Sequence, residues 1–418
     1  MIDAPVSERF GLSWPGKAAS REAADAPSRF QLVFRPDESV RPEGAEHLFV
    51  TGDCLDALKL LEPELVGRVK AVVIDPPYNT GQSFIYPDRF RDRSLAAADG
   101  RDHAAWLSMM FPRLALAHRL LRPDGALFVT IDDAECHHLR MLCDELFGEG
   151  NFVTSIAWQR KVSPANDARY FSSDHDWILV YARDKAAWRP NRLPMTSRQR
   201  RYYQNPDADP RGPWNSTTYT CNKTRSERPN LYYPIRNPHT GEDAWPSPAA
   251  VWAYSREVAE RHALEGLLYW GRDGKSRRPR FKKHLSAARR VVPRTVWTYS
   301  EVGSTQSATQ ALRALLPDMK FETPKPPTLI RRILEIATDP AGGDIVLDCF
   351  AGSGTTAQAV LEANAADGGD RRFVLVQLPE RTAYARYPTI ADIARARVAE
   401  VIRRLGNKVG YRAYRVAS

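Results

Sequence analysis

The chain has 418 residues, 43% of them hydrophobic, enough to bury two or three cores and too long for one. No apolar run reaches the length of a membrane span, and the start, Met1-Ile2-Asp3-Ala4-Pro5, does not read as a signal peptide. The net charge is +10, and the 5 cysteines are scattered and odd in number, which argues against a disulfide framework and fits a cytoplasmic setting.

Residues 1–44 are rich in Pro, Ala, Ser and charge and predict a loosely ordered arm with a short strand at 30–34. From 45 to 185, apolar runs alternate with amphipathic ones. Strands are predicted at 48–50, 69–74, 126–131, 155–158 and 177–181, and helices at 54–61, at 104–121 and up to 147. Residues 186–300 lose this rhythm. They hold 22 Lys and Arg against 9 Asp and Glu, a net of +13, which leaves the rest of the chain at −3. The same segment carries 15 of the 41 Trp, Tyr and Phe residues. Basic charge mixed with aromatics points to a nucleic-acid surface. Its densest cluster, Arg277, Arg278, Arg280, Lys282 and Lys283, reads as a track for phosphates rather than base edges. Residues 301–418 recover the alternation, with helices predicted at 307–316, 329–338 and 390–405 and strands at 345–350 and 373–377. Such alternation predicts an α/β fold, a doubly wound and mostly parallel sheet with the basic region inserted into it.

Two motifs carry chemistry. The strand at 69–74 ends in Asp75-Pro76-Pro77-Tyr78. Two prolines fix φ twice and remove two backbone donors, so nearby carbonyls face out. The result offers acceptors, the Asp75 carboxylate and the Pro76 carbonyl, beside the flat ring of Tyr78. An exocyclic amino group on a planar base needs that combination. The second motif follows the strand Asp344-Ile345-Val346-Leu347-Asp348-Cys349-Phe350 and reads Ala351-Gly352-Ser353-Gly354-Thr355-Thr356-Ala357, then a helix. Glycines placed there let the backbone approach a ligand closely. The spacing also matches a relaxed dinucleotide pattern, so a nicotinamide oxidoreductase stays open at this point; no Lys follows the second glycine, so it is not a P-loop. Cys136-His137-His138 and Cys143 lie on one predicted helix where neighbours point apart, and no metal site is predicted from them.

Taken together, Asp-Pro-Pro-Tyr and Phe-x-Gly-x-Gly resemble the amino-group DNA methyltransferases that use S-adenosylmethionine. The order, catalytic motif first, resembles their β class, in which the two halves of one sheet are permuted around a target-recognition region. Thr51-Gly52-Asp53, Asn79-Thr80-Gly81, Trp106 to Met110, Ser163 to Asp167, Asp209 to Trp214, Glu301-Val302-Gly303 and Thr323-Pro324-Lys325-Pro326 extend the likeness to modification subunits of type III restriction–modification systems. It covers roughly residues 45–415.

The resemblance implies an N-terminal arm (1–44), a catalytic half (45–185), a target-recognition region (186–300) and a cofactor half (301–418). It also implies methyl transfer from S-adenosylmethionine to the N6 amino group of a flipped adenine in double-stranded DNA. Asp75, Pro76, Pro77 and Tyr78 are then catalytic. Asp53, Lys325, Asp348, Phe350, Gly352, Gly354, Thr355 and Thr356 fall in cofactor elements, with Thr355 or Thr356 hydrogen-bonding the cofactor carboxylate. Where many β-class enzymes hold the ribose with an acidic residue, this chain offers Gln377 or Glu380. The alternatives are a cytosine-N4 methyltransferase, disfavoured by Asp rather than Ser before Pro-Pro-Tyr, and a catalytically inactive DNA-binding subunit. A homodimer and a restriction subunit are the protein partners the resemblance suggests.

Overall fold

The computed structural model of the chain describes residues 11–81, 88, 103–288, 290–319 and 321–418; the first ten residues of the predicted arm lie outside these. The chain forms two compact units, Met1–Asn191 with Pro293–Ser418, and Arg192–Val292.

The first unit is built on a ten-stranded sheet. In spatial order the strands are Gln31–Phe34, Tyr411–Ala417, His47–Thr51, Arg372–Gln377, Ile345–Asp348, Val69–Ile74, Leu121–Ile131, His175–Ala182, Phe152–Gln159 and Val296–Trp297. The six from Tyr411–Ala417 to Leu121–Ile131 run parallel throughout. The inner strands His47–Thr51, Arg372–Gln377, Ile345–Asp348 and Val69–Ile74 are buried on both faces, which is why they read as continuous apolar runs. Helices Lys17–Asp25, Cys54–Leu65, His103–Leu120 and Cys136–Phe147 pack together as one layer. Helices Thr305–Leu315, Pro327–Ala337, Thr355–Asp367 and Ile390–Arg404 pack together as the other. The fold is therefore doubly wound.

One adjacency positions the site. Strands Val69–Ile74 and Ile345–Asp348 are parallel neighbours, with Val346 opposite Ala71 and Leu347 opposite Val72. The chain leaving Val69–Ile74 leads into the first helical layer, and the chain leaving Ile345–Asp348 into the second. The two connections part, and a crevice opens at the C-terminal ends of both strands, where open α/β sheets bind ligands.

The arm expected to be loose is ordered over residues 11–44. Trp14 is buried and its Nε1 donates to Ser108 Oγ at 2.9 Å, while strand Gln31–Phe34 pairs antiparallel with Tyr411–Ala417. Helix Lys17–Asp25 buries only Ser20 and Ala24, so its sequence shows no apolar stripe. No helix among the described residues is long and apolar enough to cross a membrane.

The second unit carries a three-stranded antiparallel sheet, Leu268–Tyr269, Arg280–His284 and Trp214–Thr218, and the helix Arg256–Leu264. Its core is aromatic: Tyr219, Tyr233, Trp252 and Trp270 are buried together. Much of the aromatic excess that the sequence associates with nucleic acid is thus core packing. Tyr202 and Trp245 remain exposed.

Candidate active site

A cavity of about 260 Å³ occupies the crevice, and residues of both motifs line it. Asp75 and Pro77 stand on one side; Asp348, Phe350, Gly352, Thr355, Thr356, Gln377 and Glu380 stand on the other. Asp53 and Lys325 complete the wall. Gly354, Pro76 and Tyr78 are not among the lining residues.

Asp75 leaves the end of strand Val69–Ile74 with both carboxylate oxygens engaged. Thr130 Oγ1, from the neighbouring strand, donates to Oδ1, and Lys325 Nζ donates to Oδ2 at 2.6 Å. The Lys325 side chain is only 11% exposed, and its ammonium lies 5.0 Å from the centre of the Tyr78 ring. Lys325 is therefore placed by its ammonium at the Asp-Pro-Pro-Tyr end, a placement that membership of a cofactor element does not imply.

Tyr78 is half-buried, with its hydroxyl 3.4 Å from Asp176 Oδ2. Asp176 is buried and pairs with Arg160 Nε at 2.8 Å. Burial pushes the Asp176 carboxyl up. The Pro77 carbonyl accepts from Trp106 Nε1 at 2.7 Å, which fixes the second proline against the core. Asn79 follows with φ +59°, and its Nδ2 donates to buried Glu135 Oε1 at 2.7 Å. The same carboxylate takes His103 Nδ1 at 2.7 Å and His138 Nδ1 at 2.8 Å. His103, Glu135 and His138 bring their ligating atoms within 4.8 Å of one another. Cys136 and Cys143 are buried in the core instead.

On the glycine-loop side, Asp348 Oδ1 accepts from Phe350 N at 3.1 Å and Oδ2 from Thr356 Oγ1 at 2.6 Å. Asp348 orients the loop from within, and burial lifts its carboxyl to about 7. Thr355 Oγ1 donates to the Lys325 carbonyl at 3.2 Å. Both threonines line the cavity, and here each hydroxyl donates within the protein. The two glycines also differ. Gly352 has φ +52°, and a Cβ there would meet nothing nearer than Phe350 O at 3.9 Å. Gly354 has φ +80°, and a Cβ there would meet Ala394 O at 3.2 Å and Ala394 Cα at 3.3 Å. Gly352 leaves room for a ligand; Gly354 leaves room for the helix Ile390–Arg404.

Gln377 Oε1 accepts from Gly352 N at 2.6 Å, and its Nε2 donates to Glu380 Oε2 at 3.1 Å. Burial lifts the Glu380 carboxyl to about 7. Asp53 caps helix Cys54–Leu65 through Leu55 N at 2.8 Å and pairs with Arg113 Nη2 at 2.8 Å. Arg113, Thr130, Arg160 and Asp176 carry no motif signal and come to the site by tertiary packing; Ser353 comes with the glycine motif.

The basic cluster lies wholly in the second unit. Arg277, Arg280 and Lys283 are exposed and Arg278 is half-buried. Lys282 is different: its side chain is 11% exposed, and its ammonium pairs with Asp207 and with Asp209 Oδ2 at 3.5 Å. Lys282 thus differs from the other four in having carboxylate partners within the unit.

A doubly wound sheet whose switch point brings a glycine loop and Asp75 to one cavity is the architecture of a cofactor-binding α/β enzyme. The chain matches the DNA methylase family over residues 69–247 and 253–377 and belongs to it. It is an S-adenosylmethionine-dependent DNA methyltransferase. It is 34% identical to the Mod subunit of the type III restriction-modification enzyme StyLTI of Salmonella typhimurium, over 99% of this chain and 67% of that one. It is 30% identical to the EcoPI Mod subunit of Escherichia phage P1, over 95% and 69%. It is 31% identical to the type II methyltransferase M.KpnI of Klebsiella pneumoniae, over 78% and 79%. Family membership removes the nicotinamide oxidoreductase from consideration.

Proposed function

We propose that the protein methylates the N6 amino group of adenine in duplex DNA, in the cytoplasm, after extruding the base from the helix. The observation that carries this reading is the meeting of Asp75 and the Gly352 loop in one cavity. A DNA adenine methyltransferase of Escherichia coli, YhdJ, is 23% identical over 79% of this chain and 77% of its own length, which supports adenine.

S-adenosylmethionine, when bound, supplies a methyl group activated on a sulfonium. The chain offers it the open side of Gly352, the face of Phe350, and Gln377 and Glu380 at and just past the end of strand Arg372–Gln377. Asp75 and the Pro76 carbonyl accept the two N–H groups of the target amino group. That draws the nitrogen toward tetrahedral geometry and frees its lone pair, so the protein's work is largely positioning. Lys325 and Thr130 hold the carboxylate in place for this. Tyr78 stacks on the base, its hydroxyl steadied by Asp176. Residues 45–185 and 301–418 act as the catalytic and cofactor halves, and the unit Arg192–Val292 as the target-recognition region, touching phosphates through Arg277, Arg278, Arg280 and Lys283. A restriction subunit and a second copy of this chain are the protein partners this reading implies; co-purification and light scattering test them.

Modification-sensitive sequencing of genomic DNA from cells with and without the protein tests the whole reading. Methylated adenine at one recurrent sequence is expected. Methylated cytosine, or no new modification, would overturn it.

A further inference from the structure

Beneath the glycine loop lies a guanidinium that the reaction above does not use. Arg397, on helix Ile390–Arg404, is fully buried. Its Nε donates to Gln358 Oε1 at 2.7 Å, and its Nη1 donates to Ser353 Oγ at 2.8 Å and Thr355 Oγ1 at 2.7 Å. Its Nη2 is buried without a hydrogen-bond partner. Among the described residues no carboxylate forms an ion pair with it. Glu362 is reached only through Gln358, whose Nε2 donates to Glu362 Oε1 at 2.7 Å. Burial pulls the Arg397 guanidinium down to about 9. A charge at this depth is costly unless an opposite charge or a full set of hydrogen bonds offsets it.

The two hydroxyls give the arrangement a direction. Both accept from Nη1, so each keeps its own proton to donate. Thr355 gives its proton to the Lys325 carbonyl. The Ser353 proton has no acceptor among the described residues, and Ser353 lines the cavity beside Gly352. A hydroxyl turned toward a cavity by a buried cation is suited to an anionic group.

We infer that Arg397 is a positioning residue for the carboxylate of the methyl donor's amino-acid portion: it turns the Ser353 hydroxyl toward that carboxylate and supplies the opposite charge from beneath the loop. This rests on reading the cavity as the methyl-donor site. Through Thr355 the same guanidinium also fixes the backbone of Lys325, whose ammonium holds Asp75. One hydrogen-bonded frame therefore joins the cofactor loop to the catalytic carboxylate.

The test is calorimetric, with two probes that share a nucleoside thioether and differ in the amino-acid tail: S-adenosylhomocysteine, which has the carboxylate, and 5′-methylthioadenosine, which lacks it. Arg397→Met keeps the volume and removes the charge. Its affinity for S-adenosylhomocysteine should fall about tenfold or more, the size of one charge-assisted hydrogen bond, and its affinity for 5′-methylthioadenosine should change less than about twofold. Ser353→Ala should show the same selective loss, and it decides the matter if Arg397→Met does not fold. Equal losses for both probes, or no loss for either, would overturn the assignment while leaving the cofactor reading in place. A wild-type chain that binds neither probe would overturn the cofactor reading and the assignment with it.

Discussion

Gly352→Ala and Gly354→Ala should separate ligand approach from helix packing. Both residues sit in the left-handed region, at φ +52° and +80°, so any side chain there costs about 1–2 kcal/mol. At Gly352 that is nearly the whole cost to the free protein, because the added methyl would point into open space with its nearest neighbour at 3.9 Å. At Gly354 the methyl would meet Ala394 O, Cα and Cβ at 3.2, 3.3 and 3.4 Å. Backbone cannot rotate away, so helix Ile390–Arg404 must shift, adding about 1–3 kcal/mol of overpacking. The Gly354 variant should therefore lose roughly 2–5 kcal/mol of stability and the Gly352 variant only about 1–2. Ligand binding should follow the opposite order. Gly352→Ala puts a methyl where the ligand must lie, and affinity for S-adenosylhomocysteine should fall about tenfold or more, equivalent to about 1.4 kcal/mol. Thermal melts and calorimetry on the two variants measure both quantities. Normal affinity in Gly352→Ala, or a larger stability loss there than in Gly354→Ala, would refute this division of roles.

Asp75→Ala should abolish methyl transfer while S-adenosylhomocysteine binding survives; a filter assay with labelled methyl donor and calorimetry read the two. Replacing Arg277, Arg278, Arg280 and Lys283 with Ala should flatten the plot of log DNA affinity against log salt, by roughly 0.9 for each phosphate no longer neutralised. Lys282→Ala should leave that slope unchanged and lower thermal stability instead, since it leaves Asp209 without one of its cations. Glu380 is a carboxyl whose folded-state value, about 7, lies above the ordinary value near 4.5, so the protonated form is the one folding favours. Its contribution to stability is full below pH 4.5 and is lost as pH rises through about 7. Denaturant melts of Glu380→Gln should therefore match wild type near pH 4.5 and exceed it at pH 8.

The strands that carry the two motifs are legible in the sequence because both of their faces are covered, which leaves unbroken runs such as Val-Lys-Ala-Val-Val-Ile before Asp75. Their adjacency is not legible from period or composition. Asp75 and Phe350 are 275 positions apart (350 − 75), and only the resemblance to a permuted sheet joins them. Helix Lys17–Asp25 gives no apolar signal because it docks through two small residues, Ser20 and Ala24. The strand Tyr411–Ala417 interleaves arginines with its apolar residues, which hides it as well. The Lys-Pro element marks Lys325 but not its direction, since motif membership fixes a backbone position and not the side chain's partner. Arg397, Thr130 and Asp176 are single polar residues whose meaning depends on what the fold brings beside them. The aromatic-rich insert shows the converse: composition suggests a surface, and packing makes much of it a core.

The most direct measurement is nucleoside mass spectrometry on duplex DNA after reaction with S-adenosylmethionine carrying a labelled methyl group, with wild type and Asp75→Ala in parallel. The account predicts label in N6-methyladenine with wild type and none with the variant. Label in N4-methylcytosine would contradict the assignment of adenine, and undiminished label with Asp75→Ala would contradict the role of the carboxylate on which the site was built.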